Sequence, residues 1–244
     1  MKDYKFKRDK AVSIMTGQER KKIQKLKIVF VGRPGSGKGT QVDLLRKNFN
    51  LILIPSPGDI YRDPKFRKTE IGQKICPIVD KGEFAPDEIT NRLMEKRIFE
   101  LTKDNIKGFI SEGYPRTLGQ AEFADKKIGI DLLINLEVSE KKIVQRLSNR
   151  RVCPRCKVNY SLTEQPPRQE NICDLCQSPL TQREDDRPGA VRNRMEVYHR
   201  TAETAIEYYR KQNKVVDING DQPVEKVFED IITALRVKIK NPKF

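Results

Sequence analysis

The sequence contains very little histidine and no long apolar segment. His199 is the only histidine among 244 residues, so a histidine-based acid–base mechanism would have to rest on one side chain without an evident partner. We expect His199 to have a structural or surface role. No apolar run approaches the roughly 18–20 residues that a membrane-spanning helix requires. These absences argue against histidine-based catalysis and against a membrane protein.

An apolar secretory segment and an aromatic-rich basic stretch are also absent. The N-terminus is rich in lysine, but it carries Asp3, Asp9 and Glu19, which argues against a transit peptide. We therefore expect a cytoplasmic protein. Without interleaved aromatic residues, the basic segments lack the stacking platforms of a single-stranded nucleic-acid binder. No nucleic acid is expected as a required partner.

Residues 32–40, GRPGSGKGT, fit the phosphate-binding pattern G-x-x-x-x-G-K-[ST]. An apolar, β-branched segment at 26–31 precedes them, and residues 41–46 follow with helical spacing, which is the context that the pattern requires. In such a strand–loop–helix arrangement, backbone N–H groups and the positive end of the helix converge on a polyphosphate. Lys38 would reach the β- and γ-phosphates, and the Thr40 hydroxyl would bind Mg²⁺. We predict that the chain binds a nucleoside triphosphate.

Strand-like and helix-like patterns alternate along most of the chain. Strands are predicted at 26–31, 51–54, 108–111, 130–136 and 214–218. Helices are predicted at 38–48, 59–81, 86–103, 118–127, 139–150, 188–212 and 223–239. This alternation predicts an α/β fold with a parallel sheet that helices cover on both faces. The alternation breaks at about 152–182, which we interpret as an inserted module.

The net charge of +15 is concentrated at the two ends of the chain. Residues 1–27 contain ten Lys/Arg against three Asp/Glu, and residues 236–244 contain four basic residues and no acid. We expect both ends to emerge at the sheet edge opposite the phosphate loop, away from the nucleotide. Residues 1–25 are interpreted as a solvated basic extension, and a weak contact with RNA or an anionic membrane is the alternative.

Four of the five cysteines form two Cys-x-x-Cys pairs, Cys153 with Cys156 and Cys173 with Cys176. Two such pairs at this separation predict a zinc site, and four thiolates leave no open position, so the metal would be structural. Two disulfides, a redox motif, a metal-free module and bound iron are the alternatives. Cys76 stands alone in a helical pattern and is expected in the core. The small module would then be a lid, stiffened by its metal.

Six arginines stand beside predicted loops and strand ends, and two of them bracket the cysteine module. Phosphoryl transfer requires positive charge, alignment and exclusion of water around the transferring group, rather than a histidine base. Arginine suits this chemistry because its planar guanidinium binds phosphate oxygens in pairs and stays charged. The six are Arg62, Arg116, Arg146, Arg150, Arg183 and Arg194.

Several further motifs occur in order, and together they resemble the zinc-lid adenylate kinases over about residues 26–235. The matching segments are GRPGSGKGTQ at 32–41, GDIYR at 58–62, GFISEGYPRT at 108–117 with Gln120, NRR at 149–151, REDD at 183–186 and RNR at 192–194. The resemblance implies a P-loop NTPase-type, five-stranded parallel sheet with two mobile subdomains. It implies a core at 26–54, 87–150 and 184–244, a monophosphate-binding segment at 55–86 and a zinc lid at 151–183.

The activity implied by this resemblance is Mg²⁺-dependent, reversible phosphoryl transfer between ATP and AMP, giving two ADP, in a single-chain site that makes a monomer the expectation. Implied ATP-binding residues are Gly35, Ser36, Gly37, Lys38, Gly39, Thr40, Arg146 and Arg150. Implied AMP-binding residues are Arg62, Phe84, Gly113, Arg116, Gln120, Arg183 and Arg194. Implied catalytic residues are Lys38, Arg116, Arg150, Arg183 and Arg194. Thr40 and, through water, Glu112 would hold Mg²⁺, and Asp185 and Asp186 would help to seat the closed lid.

Three features depart from the family pattern. Pro57 stands where these kinases usually carry a threonine that contacts the AMP base, and proline has neither a hydroxyl nor an N–H. Glu112 replaces an aspartate and is one methylene longer. The basic extension at 1–25 lies outside the pattern. Pro57 motivates the alternative of a kinase for UMP, CMP or GMP, and the basic ends motivate a second alternative, a nucleotide-gated RNA-binding protein.

Overall fold

The computed structural model of the chain describes residue 12 and residues 15–102 and 108–241. Its strands are β1 (Lys27–Gly32), β2 (Leu53–Ile54), β3 (Phe109–Glu112), β4 (Leu132–Glu137), β5 (Arg150–Val152), β6 (Asn159–Ser161) and β7 (Val215–Asn219). Its α-helices are α1 (Gly17–Ile23), α2 (Lys38–Phe49), α3 (Pro57–Arg62), α4 (Pro64–Arg67), α5 (Glu70–Asp80), α6 (Asp87–Thr102), α7 (Leu118–Lys127), α8 (Glu140–Ser148), α9 (Pro188–Arg210) and α10 (Val224–Lys240). A 3₁₀ turn covers Glu184–Asp186. The predicted α/β alternation is confirmed.

The central sheet is parallel and five-stranded, in the order β2–β3–β1–β4–β7. Strands β2 and β3 lie on one side of β1, and β4 and β7 lie on the other. Open α/β sheets bind ligands at the carboxyl ends of their strands, where the strand order reverses in this way. Phe30 of β1 is in register with Glu112 of β3, so the loop after β1 lies beside Glu112.

Helices bury both faces of the sheet. Ile28 and Phe30 of β1 pack in one buried cluster with Phe228 of α10. Val29, the residue between them, belongs to a second cluster with Met94 of α6. Because successive side chains of a strand point to opposite faces, this division places one apolar cluster on each side of the sheet. The predicted covering of both faces is confirmed.

The segment predicted as one helix over 59–81 forms the three short helices α3, α4 and α5. Asp63 has an extended backbone, which the following Pro64 favours. The Asp63 side chain accepts a hydrogen bond from the Lys65 N–H at 2.8 Å and caps α4. Thr69 caps α5 by accepting from the Gly72 N–H at 3.0 Å. The prediction of one continuous helix is wrong because proline and capping side chains interrupt the apolar periodicity.

The helix predicted over 139–150 ends at Ser148, and the chain then enters a hairpin. Strand β5 pairs antiparallel with β6, and the Val152 N–H donates to the Thr181 carbonyl at 2.7 Å. These partners lie beyond residue 158, so local spacing did not reveal them. The inserted module therefore contains a short β-hairpin, and its two ends are hydrogen-bonded to each other.

The N-terminal region differs from the expected solvated extension where the structure describes it. Helix α1 begins after Thr16, whose side chain forms a capping box with Glu19. Val12 and Ile23 are buried in the same apolar cluster as Phe228 of α10. Glu19 accepts a hydrogen bond from Arg236 of α10 at 3.2 Å. Val12, Met15 and Ile23 thus add to the core, because their apolar side chains pack in the same cluster as the last helix.

The remaining predictions about the ends concern residues 1–11, 13–14 and 242–244, which lie outside the described residues. Within the described part of the chain, no helix combines the length and the apolar character needed to cross a bilayer.

Candidate functional site

The loop between β1 and α2 contains glycines in conformations that other residues avoid. Gly35 has φ 79° and Gly37 has φ 92°, both in the left-handed region. A Cβ on Gly35 would lie 2.9 Å from Cγ of Leu147, so a side chain would collide with α8. Gly37 is the N-cap of α2 and forms no side-chain cap. The N–H groups of the first turn are therefore open to an anion.

Lys38 is buried at the base of this loop. Its Nζ donates to the carbonyl oxygens of Gly32 and Arg33, each at 2.8 Å, and to Ser36 Oγ at 3.2 Å. Burial lowers the pKa of Lys38 to about 7, and the nearby Glu112 opposes this by raising it. Burial in turn raises the pKa of Glu112. A bound phosphate would place negative charge beside this buried amine and so favour its charged form.

Four arginines from separate parts of the chain converge next to the loop. They are Arg62, Arg150, Arg183 and Arg194. Burial and the neighbouring Arg150 and Arg62 lower the pKa of Arg183 to about 10. Burial also lowers the pKa of Arg194 to about 10, against the opposing effect of Asp185. Crowding of like charges in a buried site is unfavourable unless an anion joins them. The arrangement therefore fits a polyanion such as a nucleotide phosphate chain.

Two aspartates of the 3₁₀ turn pair with three of these arginines. Asp185 contacts Arg194 Nη1 at 3.0 Å and Arg62 Nη1 at 3.5 Å. Asp186, whose side chain is fully buried, pairs with the guanidinium of Arg150 through both carboxylate oxygens. Arg62 belongs to α3 and Arg194 to α9, so Asp185 joins the segment after β2 to the helix that follows the cysteine module.

Arg116 and Gln120 lie in a second basic region beside the loop. The Arg116 Nε donates to the Gly113 carbonyl at 2.6 Å, and its guanidinium lies 5.3 Å from the centre of the Phe84 ring. Burial lowers the pKa of Arg116. Gln120 is buried in the first turn of α7 and accepts a hydrogen bond from the Arg116 N–H at 2.8 Å. This region offers one cation and one amide to a ligand.

Arg146 connects the cysteine module to the phosphate loop. Its side chain lies 3.5 Å from the Ser36 carbonyl oxygen, 3.4 Å from the Gly220 carbonyl oxygen and 3.5 Å from the Glu164 carboxylate. Ser36 belongs to the loop, Gly220 follows β7, and Glu164 lies in the module. One guanidinium thus bridges three segments that are distant in sequence.

One cleft of about 300 Å³ is lined by every nucleotide-site residue predicted from the sequence. The lining includes Gly35, Ser36, Gly37, Lys38, Gly39, Thr40, Arg62, Phe84, Glu112, Gly113, Arg116, Gln120, Arg146, Arg150, Arg183 and Arg194. His199 is not among the lining residues. Its Nε2 lies 3.1 Å from Glu140 Oε1, which joins α9 to α8.

The four cysteine sulfurs of the inserted module lie within 4.8 Å of one another. Sγ of Cys153 is 3.3 Å from Sγ of Cys176, and Sγ of Cys156 is 3.4 Å from Sγ of Cys173. A tetrahedron with Zn–S bonds of about 2.3 Å has sulfur–sulfur edges of roughly 3.8 Å, so the cluster has nearly the size of a zinc site. All four are free thiols. Their donor set fits a structural zinc ion.

Tyr160 supports this cluster and was not foreseen from the sequence. Its hydroxyl lies 3.5 Å from Sγ of Cys173 and accepts a hydrogen bond from the Asp174 N–H at 2.9 Å. Burial raises the pKa of the Cys173 thiol, but the contact with Tyr160 and neighbouring backbone N–H groups lower it, and the result is about 6. The thiolate form of Cys173 is thereby favoured, and a cysteine must be a thiolate to bind a metal.

Asp87 is the second residue that sequence reasoning missed as part of the site. As an acidic residue in the first turn of α6, it gives no sequence signal of a role in the site. In the structure its carboxylate accepts a hydrogen bond from Gln120 Nε2 at 2.8 Å. No local pattern links residues 87 and 120, because this contact depends on the packing of α6 against α7.

Sequence comparisons support the same interpretation. The family model described as adenylate kinase matches residues 30–214. The chain is 43% identical over 216 residues to the adenylate kinase of Petrotoga mobilis, which covers 86% of this chain and 98% of that protein. It is 42% identical over 216 residues to the adenylate kinase of Clostridium acetobutylicum, covering 86% and 99%, and 41% identical over 216 residues to that of Thermosipho melanesiensis, covering 86% and 100%. With this similarity over most of its length, the chain belongs to the adenylate kinase family.

Proposed function

We propose that this chain transfers a phosphoryl group reversibly from ATP to AMP, with Mg²⁺, to form two ADP. The observation that carries the proposal is the single cleft shared by the phosphate loop, Arg62, Arg116 and Gln120. Two nucleotides in one basic cleft are brought into alignment, which is most of what phosphoryl transfer requires. The names of the relatives favour AMP over UMP, CMP or GMP, and favour phosphoryl transfer over RNA binding.

The phosphate loop is the proposed site for the ATP phosphates. The amides of Gly35, Ser36, Gly37, Gly39 and Thr40 surround them, and Lys38 contacts the β- and γ-phosphates. Arg146 and Arg150 complete this side of the site. The positive end of α2 and the uncapped first turn support this assignment.

Mg²⁺ fits the oxygen ligands at this end of the cleft. Thr40 offers a hydroxyl, and Glu112 offers a carboxylate whose Oε1 lies 3.5 Å from where a Cβ on Gly39 would stand. Glu112 would act through water, in keeping with the ion's reluctance to lose its hydration. When bound, the ion neutralises charge on the phosphate oxygens.

AMP occupies the region of the cleft around Arg116 and Gln120 in this proposal. Arg62 and Arg116 bind its phosphate, and Gln120 contacts its base. Phe84 and Gly113 line the same region of the cleft. Arginine is suited to the phosphate because its planar guanidinium donates two parallel hydrogen bonds.

Arg150, Arg183 and Arg194 surround the transferring phosphoryl group. They stabilise the charge that spreads over its oxygens in the transition state, with Arg150 held by Asp186 and Arg194 held by Asp185. No side chain is needed as a strong general base, because the acceptor phosphate is already a nucleophile. The position of His199 away from the cleft lining is compatible with this mechanism.

Residues 151–183 act as a zinc-stiffened lid, and residues 55–86 form the monophosphate-binding segment of a core at 26–54, 87–150 and 184–244. Closure of these parts over the cleft excludes water, which would otherwise accept the phosphoryl group. All of the proposed site residues lie within one chain, so we propose that it acts as a monomer. We further propose that it works in the cytoplasm.

The test is an assay of ADP formation by the purified chain, with ATP and Mg²⁺ and with AMP, UMP, CMP or GMP as the acceptor. We expect AMP to be strongly preferred, and we expect a chelator of Mg²⁺ to abolish turnover. A clear preference for UMP or CMP would contradict the assignment of the acceptor. RNA binding without detectable ADP formation would contradict the proposal as a whole.

A further inference from the structure

The side-chain amide of Gln120 is held from both sides. Its Oε1 accepts from the Arg116 N–H at 2.8 Å, and its Nε2 donates to Asp87 Oδ1 at 2.8 Å. Gln120 is only 3% exposed and lines the nucleotide cleft. Both of its polar atoms thus have a partner before any base arrives, and each keeps one further hydrogen-bonding position.

Asp87 is itself fixed at the junction of α6 and α7. Its Oδ2 accepts from the Thr117 hydroxyl at 2.5 Å, and the same hydroxyl accepts from the Gln120 N–H at 3.1 Å. A Cβ on Gly119 would lie 3.0 Å from Asp87 Oδ2, so the carboxylate packs closely against the first turn of α7. Both carboxylate oxygens are therefore engaged with this turn.

These partners allow the amide only one orientation. A carboxylate only accepts hydrogen bonds, and a backbone N–H only donates. If the Gln120 amide rotated by half a turn, its oxygen would face the Asp87 carboxylate and its NH₂ group would face the Arg116 N–H. Both hydrogen bonds would be replaced by repulsive contacts inside a buried site.

The orientation of an amide decides which purine it can recognise. Adenine presents an acceptor at N1 and an amino donor at C6, whereas hypoxanthine and guanine present a donor at N1 and an oxygen at C6. An amide free to rotate can serve both patterns, and a fixed amide serves one. Pro57 also lines the cleft and offers neither a hydroxyl nor an N–H, so base recognition rests more heavily on Gln120.

We propose that Asp87 is a positioning residue that sets base specificity at the monophosphate site. It holds the Gln120 amide in the orientation that accepts a 6-aminopurine and rejects a 6-oxopurine. This inference rests on the proposed role of Gln120 in binding the acceptor base. It assigns Asp87 no contact with the substrate.

The experiment compares kcat/KM for AMP with kcat/KM for inosine monophosphate, using ATP and Mg²⁺, in the full chain and its variants. We expect Asp87→Ser to lower the AMP-to-IMP ratio at least about tenfold, because a charged hydrogen-bond acceptor to the amide is lost. Asp87→Asn keeps an acceptor oxygen at the same reach without the charge, so a smaller fall of about two- to fivefold is expected. The KM for ATP should stay within about twofold in both.

Glu88→Gln is the matched control, since it removes a carboxylate from the neighbouring position of α6, where Glu88 pairs with the exposed Arg92. Its ratio should equal that of the unaltered chain. An unchanged ratio in Asp87→Ser overturns the proposal, and Asp87→Asn decides the question if the serine variant does not fold. Gln120→Ala separates a failure of this inference from a failure of the proposed function. If Gln120→Ala leaves the AMP-to-IMP ratio unchanged, the proposed base site is wrong. If Gln120→Ala lowers the ratio and the Asp87 variants do not, only the role of Asp87 is wrong.

Discussion

The phosphate loop and the cysteine module border the same cleft, but they are stabilised in different ways. The loop joins β1 to α2, and both elements pack into an extensive apolar cluster that includes Phe30, Leu45 and Phe228. The buried cluster of the module is small and consists mainly of two cysteines with Tyr160 and Leu180. A segment of about thirty residues cannot gain enough stability from such a core. The large core therefore holds the loop in shape, whereas a metal bound by the four cysteines would supply the stability that the module's small core does not.

This difference suits the two parts of the site to different tasks. The loop must present backbone N–H groups in a fixed array, and a large core holds that array in place. In the proposed function the module moves as one stiff body, and a bound metal would give it internal order without burying it against the core. Its links to the rest of the described chain include polar contacts, such as Glu164 with Arg146 and the Leu162 N–H with the Asn149 carbonyl oxygen at 2.9 Å. Polar links can open and close at lower cost than an apolar interface.

The largest expected effect comes from Lys38→Met, which tests whether the loop acts through charge rather than through fold. We expect kcat to fall about 10³-fold, since one preorganised cationic donor to the phosphates is lost. The thermal midpoint should not fall, because methionine fills the space and burial of the ammonium is unfavourable. Lys47→Met, at an exposed position of the same helix, is the control. Activity of Lys38→Met close to that of the control would refute the assigned role.

The second effect separates the two regions directly. Replacing Cys153 and Cys156 with serine should reduce bound zinc from about one equivalent to none and lower kcat about 10- to 100-fold, because the lid loses its order. Metal analysis and hydrogen exchange measure this. Faster exchange should be confined to residues 151–183, while residues 27–49 stay protected. Cys76→Ala, which alters the buried cysteine outside the module, should retain zinc. Exchange that rises equally in both regions would show that the module is not an independent unit.

The third effect concerns pH and the loop alone. The pKa of Lys38 is lowered to about 7 in the unliganded protein. Below about pH 7 the Lys38 side chain is therefore already charged, and its titration does not change the affinity for ATP. Above that pH the free protein loses the proton, and binding of phosphate must restore it. The Kd for ATP should then rise by up to about tenfold per pH unit.

Calorimetry in two buffers of different ionisation enthalpy measures the proton uptake that this linkage requires. Lys38→Arg is the control, because arginine keeps its charge throughout this pH range. Protonation of ATP itself affects both proteins equally, so the Kd for ATP should depend less on pH in Lys38→Arg. Equal pH dependence in the two proteins would contradict the lowered pKa as the cause.

The smallest effect is expected from Pro57→Thr, which sharpens the comparison at the acceptor side of the cleft. Pro57 is buried at the first position of α3, after the capping box of Ser56 and Asp59. Threonine there adds a hydroxyl, and one neutral hydrogen bond contributes about 0.5–1.5 kcal/mol. Loss of the proline constraint offsets part of this gain. The KM for AMP should fall about two- to fivefold with the KM for ATP unchanged, and an equal change in both would place the effect elsewhere.

The loop and the module also differ in how far local sequence predicted them. Residues 32–40 lie between an apolar strand and a helix, so pattern and context were both local. The cysteine spacing likewise predicted a cluster, which the four sulfurs form. The boundaries of 59–81 and 139–150 were wrong, because proline, capping side chains and a hairpin partner overrode apolar periodicity. The packing of α1 on α10 was not predicted, since basic composition alone does not reveal a buried Val12 or Ile23.

By itself, the sequence determined the phosphate loop, the clustered cysteines and the identity of the basic residues, because these depend on residue type at short spacing. Only the tertiary structure decided that Asp185 joins Arg62 to Arg194 and that Asp87 orients Gln120. Such contacts link helices that are far apart along the chain. They exist only after the apolar faces of the sheet have packed, since burial of those faces brings the helices together and leaves their polar ends to meet at the cleft.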